Sequence, residues 1–295
     1  MVFNADIPGY RYFRGKFKMV VQNVLYVPGI EHAEVRLEEI PRVVVIIPAY
    51  NEERDIARVV QDTREILSKL TKEFSIIVVD DDSVDNTRNI LDSFEIDRFY
   101  HRKNLGKGDV IRNALKFVAS GEIVVTMDGD GEHDPRDLPR LIEPILHDRA
   151  DIVIGSRFLN QTSRYLGRAK NDKHIKNLGN RFYTILLWIF TRKVIHDTQS
   201  GFRVFKANKV KCLNLCSDGF RIEMEMTVKA LRRGFKIAEV AIQNGQGHRK
   251  SHLKLFADGT KIAMTVLREC LPKRTKRLFD WMLPRIPNRL GRFVN

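Results

Sequence analysis

The sequence predicts an α/β protein built around a mostly parallel β-sheet, and three observations favour this fold class. Short unbroken runs of β-branched residues, such as RVVVIIP at residues 42–48, are typical of strands that are buried on both faces. Segments with helical periodicity alternate with these runs, and the alternation favours parallel pairing. With 295 residues, 43% of them hydrophobic, the chain can form one large domain with appendages or two small domains.

The elements are predicted in order from the first of these strands. From Asn51 onward, apolar residues that include Ile56, Val60 and Leu67 form a helical stripe. SIIVVDDDS is a second strand that ends in aspartates, KGDVIRNALKFVAS is a helix, and GEIVVTMDGD is a third strand. DLPRLIEPILHD and ADIVIGSRF repeat the order of helix and strand. Because ligands of such sheets bind beyond the carboxyl ends of the strands, the polar clusters at these ends are candidate site residues.

The segment MDGDGEHD, which follows the third strand, is a candidate metal site. Extended backbone would turn Asp128 and Asp130 to the same side, where their charges repel unless a cation lies between them. Oxygen ligands suit Mg²⁺ or Mn²⁺, and Glu132 could complete the set. His133 is assigned to the loop rather than to the metal. A solvated acidic turn is the alternative interpretation.

Two further clusters are compatible with nucleotide binding. The aspartates of VVDDDSVDNT either cap the next helix or accept hydrogen bonds from the ribose or the base of a nucleotide. Gly106, Lys107 and Gly108 begin a helix, where amides and an ammonium group could face a phosphate, although a plain turn explains them equally well. The chain has no G-x-x-x-x-G-K-[ST] or G-x-G-x-x-G segment, which argues against a P-loop NTPase or a dinucleotide enzyme.

The charge pattern predicts an anionic partner and contact with one side of a membrane. The formal net charge is +14, and the basic residues of segment 271–295 alternate with large apolar ones, as in an anchor on anionic lipid. A solvated tail or an oligomer contact would have the same composition. Residues 177–190 form either an interfacial helix or an ordinary core helix. Three cysteines without a CxxC pair, and the lack of a spanning stretch or secretory signal, favour a peripheral protein on the cytoplasmic face of a membrane.

Six segments together resemble a known family. IIPAYNEERDI, VVDDDSVDNT, NLGKGDVIRNAL, MDGDGEHDP, GSRF and DTQSGFRVF follow one another in the order and spacing of family 2 glycosyltransferases, which have the Rossmann-like GT-A fold. Within that family they are most similar to the dolichol-phosphate mannose synthase and dolichol-phosphate glucosyltransferase branch. The resemblance covers about residues 41–260. Residues 1–40 are then an N-terminal extension with a possible extra strand, and residues 261–295 a basic amphipathic segment.

The resemblance implies roles for particular residues. Asp130 and Arg157 are the expected catalytic residues, and Asp128, Asp130 and Glu132 are the expected metal ligands. Glu132 stands where the family often has Gln, which adds a negative charge. The positions expected to bind the nucleotide sugar are Pro48, Ala49, Tyr50, Glu52, Val79, Asp81, Lys107, Asp128, Gly129 and Asp130. The positions expected to bind the phosphate of the acceptor are Arg157, Lys173, Lys176, Arg249 and Lys250.

The predicted function is metal-dependent transfer of a hexose, with inversion, from GDP-mannose or UDP-glucose to a polyprenyl or dolichyl phosphate. The metal would stabilise the departing diphosphate. A phosphate monoester, with a second pKa of about 6, is already ionised at pH 7 and needs no general base. A hydroxyl acceptor would need a carboxylate base, for which Glu223 or Glu225 could serve unless both lie on a solvated helix edge.

Two alternatives stay open. One is a glycosyltransferase with a soluble phosphorylated or hydroxyl acceptor. The other is a basic nucleic-acid-binding protein, but this hypothesis leaves the acidic strand ends unexplained. The predicted partners are therefore a nucleotide sugar, a polyprenyl phosphate and an anionic membrane surface, without nucleic acid, and the sequence predicts no oligomeric state.

Overall fold

A computed structural model describes residues 19–21, 24–26, 40–159, 170–243 and 255–270 of the chain. The strands are β1 (Met19–Val21), β2 (Val24–Tyr26), β3 (Val43–Ala49), β4 (Phe74–Asp80), β5 (Asp97–Tyr100), β6 (Ile123–Thr126), β7 (Ile152–Ser156), β8 (Arg203–Lys206) and β9 (Ile237–Ala241). The α-helices are α1 (Ile56–Leu70), α2 (Thr87–Asp92), α3 (Lys107–Ala114), α4 (Leu138–Leu146), α5 (Lys170–Thr191), α6 (Ala207–Cys212), α7 (Ile222–Arg232) and α8 (Leu255–Cys270).

The strands form one sheet in the order β1-β2-β9-β7-β8-β6-β3-β4-β5. Strand β8 runs antiparallel to both of its neighbours, β6 and β7, and β1 runs antiparallel to β2, whereas all other neighbours are parallel. The predicted α/β fold with a mostly parallel sheet is thus confirmed. The carboxyl ends of β3, β4, β6 and β7 lie along one edge, and the amino end of β8 meets them there.

Apolar side chains cover both faces of the sheet. Along β3, Val44 and Ile46 belong to one buried cluster, while Val45 and Ile47 belong to the other. Helices α1 and α4 pack on the second face, and α3, α5, α7 and α8 pack on the first. The central strands are therefore apolar without alternation, as expected of a sheet between two helical layers.

The predicted strands are confirmed within a few residues, but the first helix begins later than the periodicity indicates. Asn51 adopts a φ of 55°, and the chain turns before the helix begins at Ile56. The amides of Glu52 and Glu53 donate to side chains of the loop after β4 instead of joining the helix. The helix after Gly106 also ends early, and residues 115–117 continue it as a 3₁₀ turn.

Both ends of the predicted transferase segment continue into neighbouring structure. The N-terminal extension contributes the short strands β1 and β2, and β2 pairs with β9. At the other end, Ile262 and Val266 of α8 are buried in the core, so a domain boundary after residue 260 would divide a helix. The basic segment after residue 270 lies outside the described residues. Among the helices that the structure describes, none is long and apolar enough to cross a membrane.

Candidate active site

The loops after β3 and β4 are hydrogen-bonded to each other at the carboxyl edge of the sheet. The Asn51 amide donates to Ser83 Oγ at 2.8 Å, and its side-chain carbonyl accepts from the Val84 amide at 2.8 Å. The Glu52 amide donates to Thr87 Oγ1 at 2.7 Å. The predicted nucleotide positions at the ends of β3 and β4 therefore adjoin two loops that stabilise each other. Of these positions, Ala49 and Val79 are buried, and Pro48, Tyr50 and Glu52 are partly exposed.

Asp81 supports the turn that begins α3. Its carboxylate accepts from the amides of Leu105 at 2.9 Å and Gly106 at 2.7 Å, and it lies 2.7 Å from His101 Nδ1. Gly106 has a φ of 86°, which the amide contacts stabilise. Asp81 therefore orients the residue that follows this turn, Lys107, and its contact with a nucleotide stays a prediction.

Lys107 reaches from the start of α3 into the D-x-D loop. Its Nζ lies 2.5 Å from Asp128 Oδ1 and 2.7 Å from Glu223 Oε1. Although burial disfavours the charged ammonium, these two carboxylates raise the pKa of Lys107 above its ordinary value. Gly201 makes the close approach possible, because a Cβ there would lie 2.5 Å from both Lys107 Nζ and Asp128 Oδ2.

The two aspartates of the D-x-D loop have opposite electrostatic environments. Burial works against the charge of Asp128, but the positive charges of Lys107 and Arg157 outweigh it and lower the pKa of Asp128. Burial and the neighbouring Asp128 charge raise the pKa of Asp130 to about 7. In this loop Lys107 neutralises the carboxylate of Asp128, whereas too little positive charge lies near Asp130 to stabilise its ionised form.

His133 orders this loop from within. Its Nδ1 accepts from the Asp128 amide at 3.2 Å, and its ring packs against Phe202 with a centroid distance of 5.1 Å. Burial lowers the pKa of His133 to about 4, so the imidazole is neutral at pH 7. This arrangement agrees with its assignment to the loop.

The loop has the donor set for a divalent cation that is shared with a substrate. Within the part of the chain that the structure describes, no three His, Cys, Asp or Glu residues form a ready-made metal cluster. Asp128, Asp130 and Glu132 are thus not pre-assembled, and this ligand set stays a prediction. Mg²⁺ commonly takes only one or two carboxylates from a protein and the rest of its ligands from phosphates and water. Asp128 and Asp130 fit that pattern.

Arg157 follows β7 and is fixed by Asp197. Its Nε donates to Asp197 Oδ2 at 2.8 Å, and its Nη2 donates to Asp197 Oδ1 at 3.0 Å. Asp197 is buried, and its own amide donates to Glu239 Oε1 at 3.0 Å. Because Asp197 pairs with Arg157, and Gly201 of the same loop adjoins Asp128, the predicted acceptor-binding arginine lies on the side of the site where this loop meets the D-x-D loop.

The DTQSGFR segment folds around Arg203, which is fully buried. The guanidinium donates to the carbonyls of Thr198, Ser200 and Glu223 and to Thr227 Oγ1. Burial lowers the pKa of Arg203 to about 10. The arginine thus holds the loop that brings Gly201 against the D-x-D loop.

Neither glutamate of GFRIEMEM lies on a solvated helix edge, so that interpretation is wrong. Both Glu223 and Glu225 are buried. Glu225 accepts from the amides of Cys216 and Ser217 and pairs with Lys229. The contact between Glu223 and Lys107 was missed from the sequence. The two residues are far apart in the chain, and no sequence motif contains both of them.

Comparisons with known proteins identify the family. Residues 44–213 match the family Glycosyl transferase family 2. The chain belongs to this family. Among curated relatives, a UDP-N-acetylglucosamine--dolichyl-phosphate N-acetylglucosaminyltransferase of Methanococcus voltae is 31% identical, over 68% of this chain and 84% of the relative. A dolichol-phosphate mannosyltransferase of Pyrococcus furiosus is also 31% identical, over 69% of this chain and 56% of that protein.

The fold of this family 2 glycosyltransferase also matches solved structures. A glucosyl-3-phosphoglycerate synthase of Mycobacterium tuberculosis, in complex with Mn²⁺ and UDP-glucose, superposes with a TM-score of 0.66. The match covers 85% of this chain and 88% of that one at 19% identity, so it supports the fold alone. The resemblance seen in the motifs is therefore confirmed, and the protein is a glycosyltransferase.

Four other predicted acceptor residues have side chains that the structure does not describe. Lys173 and Lys176 lie on α5, but their side chains are not among those that the structure describes. Arg249 and Lys250 lie outside the described residues. Their contact with an acceptor stays a prediction.

Helix α5 of the enzyme is a core helix on one side and an exposed apolar helix on the other. Tyr183 and Leu187 are buried in the core. The helix also exposes large apolar side chains, namely Phe182, Ile185, Trp188, Ile189 and Phe190, with exposed fractions between 40% and 56%. The core-helix interpretation of segment 177–190 thus applies to one part of its surface, and the interfacial interpretation stays a prediction.

Proposed function

We propose that the enzyme transfers a hexose from GDP-mannose or UDP-glucose to a polyprenyl phosphate such as dolichyl phosphate, with the aid of Mg²⁺ or Mn²⁺. The observation that carries this proposal is that the loop before β8 contacts both groups: Asp197 pairs with Arg157, and Gly201 adjoins Asp128 of the D-x-D loop. The Methanococcus voltae and Pyrococcus furiosus relatives, whose names specify dolichyl phosphate and dolichol phosphate, support the choice of acceptor. A role in protein glycosylation follows from the same comparison.

The nucleotide sugar would lie along the loops after β3, β4 and β6. Asp128 and Asp130, with Glu132 as a third predicted ligand, would hold the cation. When bound, the cation supplies positive charge to the diphosphate as the bond to the sugar breaks. Lys107 adds an ammonium group beside the same loop. Pro48, at the end of β3, and Tyr50, Glu52 and Asp81, on the loops after β3 and β4, would contact the nucleoside.

Arg157 would hold the acceptor phosphate. A guanidinium can bind phosphate through two parallel hydrogen bonds, and Asp197 restricts the directions in which it points. A phosphate oxygen would attack the anomeric carbon while the bond from that carbon to the diphosphate oxygen breaks and the diphosphate leaves with the electron pair. Attack from the opposite side inverts the anomeric centre. The acceptor is already ionised, so no general base is needed.

The enzyme would work as a peripheral protein at the cytoplasmic face of a membrane. The exposed side of α5 offers aromatic and aliphatic side chains to the lipid boundary. The basic segment 271–295 would add attraction to anionic headgroups. Lys173, Lys176, Arg249 and Lys250 are the proposed further contacts of the acceptor phosphate.

A soluble phosphorylated acceptor is the second candidate, because Arg157 recognises a phosphate whatever it is attached to. The solved structures that share the fold include a glucosyl-3-phosphoglycerate synthase bound to phosphoglyceric acid. The test offers GDP-mannose, UDP-glucose and UDP-N-acetylglucosamine, each with Mn²⁺, to a short-chain dolichyl phosphate and, separately, to phosphoglycerate. A glycolipid product supports the proposal.

Each other outcome contradicts a defined part of it. Transfer to phosphoglycerate without any glycolipid would favour the soluble acceptor. No transfer from any nucleotide sugar, combined with tight and salt-sensitive binding of DNA or RNA, would favour the nucleic-acid hypothesis. Sedimentation with vesicles that contain anionic lipid tests the membrane part by itself. A double variant, Ile185→Ser and Trp188→Ser, should lose sedimentation without a change in melting temperature.

A further inference from the structure

Glu223 is a buried carboxylate whose oxygens accept no hydrogen bond from the described residues, and only one of these oxygens contacts a cation. The residue is 2% exposed, at the first turn of α7. Neither of its carboxylate oxygens accepts a hydrogen bond from the described part of the chain. Oε1 lies 2.7 Å from Lys107 Nζ as an ion pair, and Oε2 has no ion-pair contact there either. Buried polar atoms are almost always paired, because leaving one unpaired costs free energy. An unpaired oxygen in a candidate site therefore indicates a ligand that provides a hydrogen-bond donor.

The position of Glu223 limits what that ligand can be. The same ammonium group, Lys107 Nζ, contacts both Glu223 and Asp128, so this carboxylate adjoins the D-x-D loop. A diphosphate or an acceptor phosphate offers only acceptor oxygens at pH 7, and it would be repelled by a carboxylate. The hydroxyls of a sugar are hydrogen-bond donors. If the D-x-D loop holds the diphosphate, the attached hexose is the nearest part of the substrate that carries such groups.

We propose that Glu223 Oε2 accepts a hydrogen bond from a hydroxyl group of the transferred hexose and thereby contributes to the choice of nucleotide sugar. This inference rests on the proposed nucleotide-sugar site but not on the identity of the acceptor. Lys107 has a second task in this arrangement. By pairing with Oε1 it restricts the directions in which Oε2 can point.

Glu225 provides a matched control on the same helix. It is also buried, but its two oxygens accept from the Cys216 and Ser217 amides and contact Lys229. Its contacts are thus with the loop before α7 and with its own helix. A substitution there tests the loss of a buried carboxylate without the loss of the proposed sugar contact.

The experiment measures binding of the nucleotide sugar by calorimetry, with Mn²⁺ and without any acceptor. The intact nucleotide sugar is compared with analogues in which the 2-, 3-, 4- or 6-hydroxyl of the hexose, or one hydroxyl of the ribose, is replaced by hydrogen. For the unmodified enzyme, one analogue should bind roughly 10- to 100-fold more weakly, as expected for a hydrogen bond to a charged group. Glu223→Ala and Glu223→Gln should weaken the binding of the intact nucleotide sugar. In these variants, that same analogue and the intact nucleotide sugar should bind with equal affinity. Glu225→Gln should keep the full discrimination.

Other outcomes overturn the inference in distinguishable ways. If the variant and the missing hydroxyl change the binding free energy by amounts that simply add, Glu223 does not contact the hexose. Its oxygen is then hydrogen-bonded to solvent alone. If only an analogue that lacks a ribose hydroxyl shows the non-additive pattern, the contact is to the nucleoside. If Glu223→Gln leaves every binding constant unchanged but abolishes a pH-dependent step of transfer, the residue is a base. Failure of every nucleotide sugar to bind the unmodified enzyme would instead overturn the proposed function.

Discussion

Two neighbouring clusters in the site differ in how completely the protein satisfies them. The arginine cluster is formed by Arg157, Asp197 and Glu239. The guanidinium of Arg157 donates two hydrogen bonds to the buried carboxylate of Asp197, and the Asp197 amide donates to Glu239. In the lysine cluster, formed by Lys107, Asp128, Asp130 and Glu223, one ammonium serves two carboxylates, the pKa of Asp130 is raised to about 7, and Glu223 Oε2 has no partner among the described residues.

The difference indicates which part of the site is complete before substrates arrive. The arginine cluster is arranged by the protein alone, which suits a group that must aim an incoming anion. The lysine cluster has more negative charge and more acceptor atoms than its own residues neutralise. A cation and a polyhydroxylated ligand would supply both missing elements. Four predictions test this contrast, from the largest expected effect to the smallest.

Asp130→Asn should have the largest effect on activity and little effect on folding. The amide cannot replace a charged ligand of the cation, so we expect transfer to fall by about 10²- to 10³-fold or more. The buried carboxyl is already disfavoured as an anion, and its neutral isostere should leave the melting temperature unchanged or higher. Glu65→Gln, at an exposed ion pair on α1, is the control. Undiminished transfer in Asp130→Asn would remove the metal assignment.

Arg157→Ala should affect the acceptor phosphate much more than the nucleotide sugar. Loss of the guanidinium should raise the KM for the acceptor phosphate by roughly 10- to 100-fold, while the binding constant of the nucleotide sugar changes little. The variant also leaves Asp197 buried without its ion partner, so we expect a loss of stability of about 3 kcal/mol in chemical denaturation. Arg157→Lys should recover part of the charge but not the paired geometry. Equal changes in the KM for the acceptor and in the binding constant of the nucleotide sugar would contradict the proposal that the two clusters bind different substrates.

Gly201→Ala should disturb the lysine cluster through packing alone. The added Cβ would lie 2.5 Å from both Lys107 Nζ and Asp128 Oδ2, so those groups must separate or the loop must move. We expect destabilisation of about 1–3 kcal/mol and weaker binding of the nucleotide sugar. Gly121→Ala is matched in chemistry, because nothing lies within 4 Å of its added Cβ. A melting temperature that is equal for the two variants would show that the loop is not tightly packed.

His196 should give the arginine cluster a small pH dependence. A hydrogen bond and the charge of Glu239 raise the pKa of His196 above its ordinary value, despite burial. The contribution to stability is then fully present below the unfolded pKa of about 6.5 and is lost as pH rises through the folded value. Melting temperature should therefore fall slightly from pH 6 to pH 8 in the unmodified enzyme and less in His196→Asn. A His147→Asn control should keep the slope, and an identical slope in all three would contradict the prediction.

Much of the fold was predictable because it depends on local patterns. The unbroken apolar run of β3 and the stripe of α1 are visible in a few residues each, and their alternation implies parallel pairing. The start of α1 was not predictable, because the hydrogen bonds that keep Glu52 and Glu53 out of the helix come from another loop. The same limit explains why the burial of Glu223 and Glu225 was missed.

By itself, the sequence determined the family, the sheet and the acidic and basic residues around the site, since these follow from periodicity and from short motifs. Only the tertiary structure decided which charges meet. Strand β8 enters the sheet between β6 and β7 in the opposite direction, so the loop before it arrives at their carboxyl ends. That placement brings Asp197 to Arg157 and Gly201 to Asp128. Ion pairs between distant parts of a chain depend on strand order, which no local pattern contains.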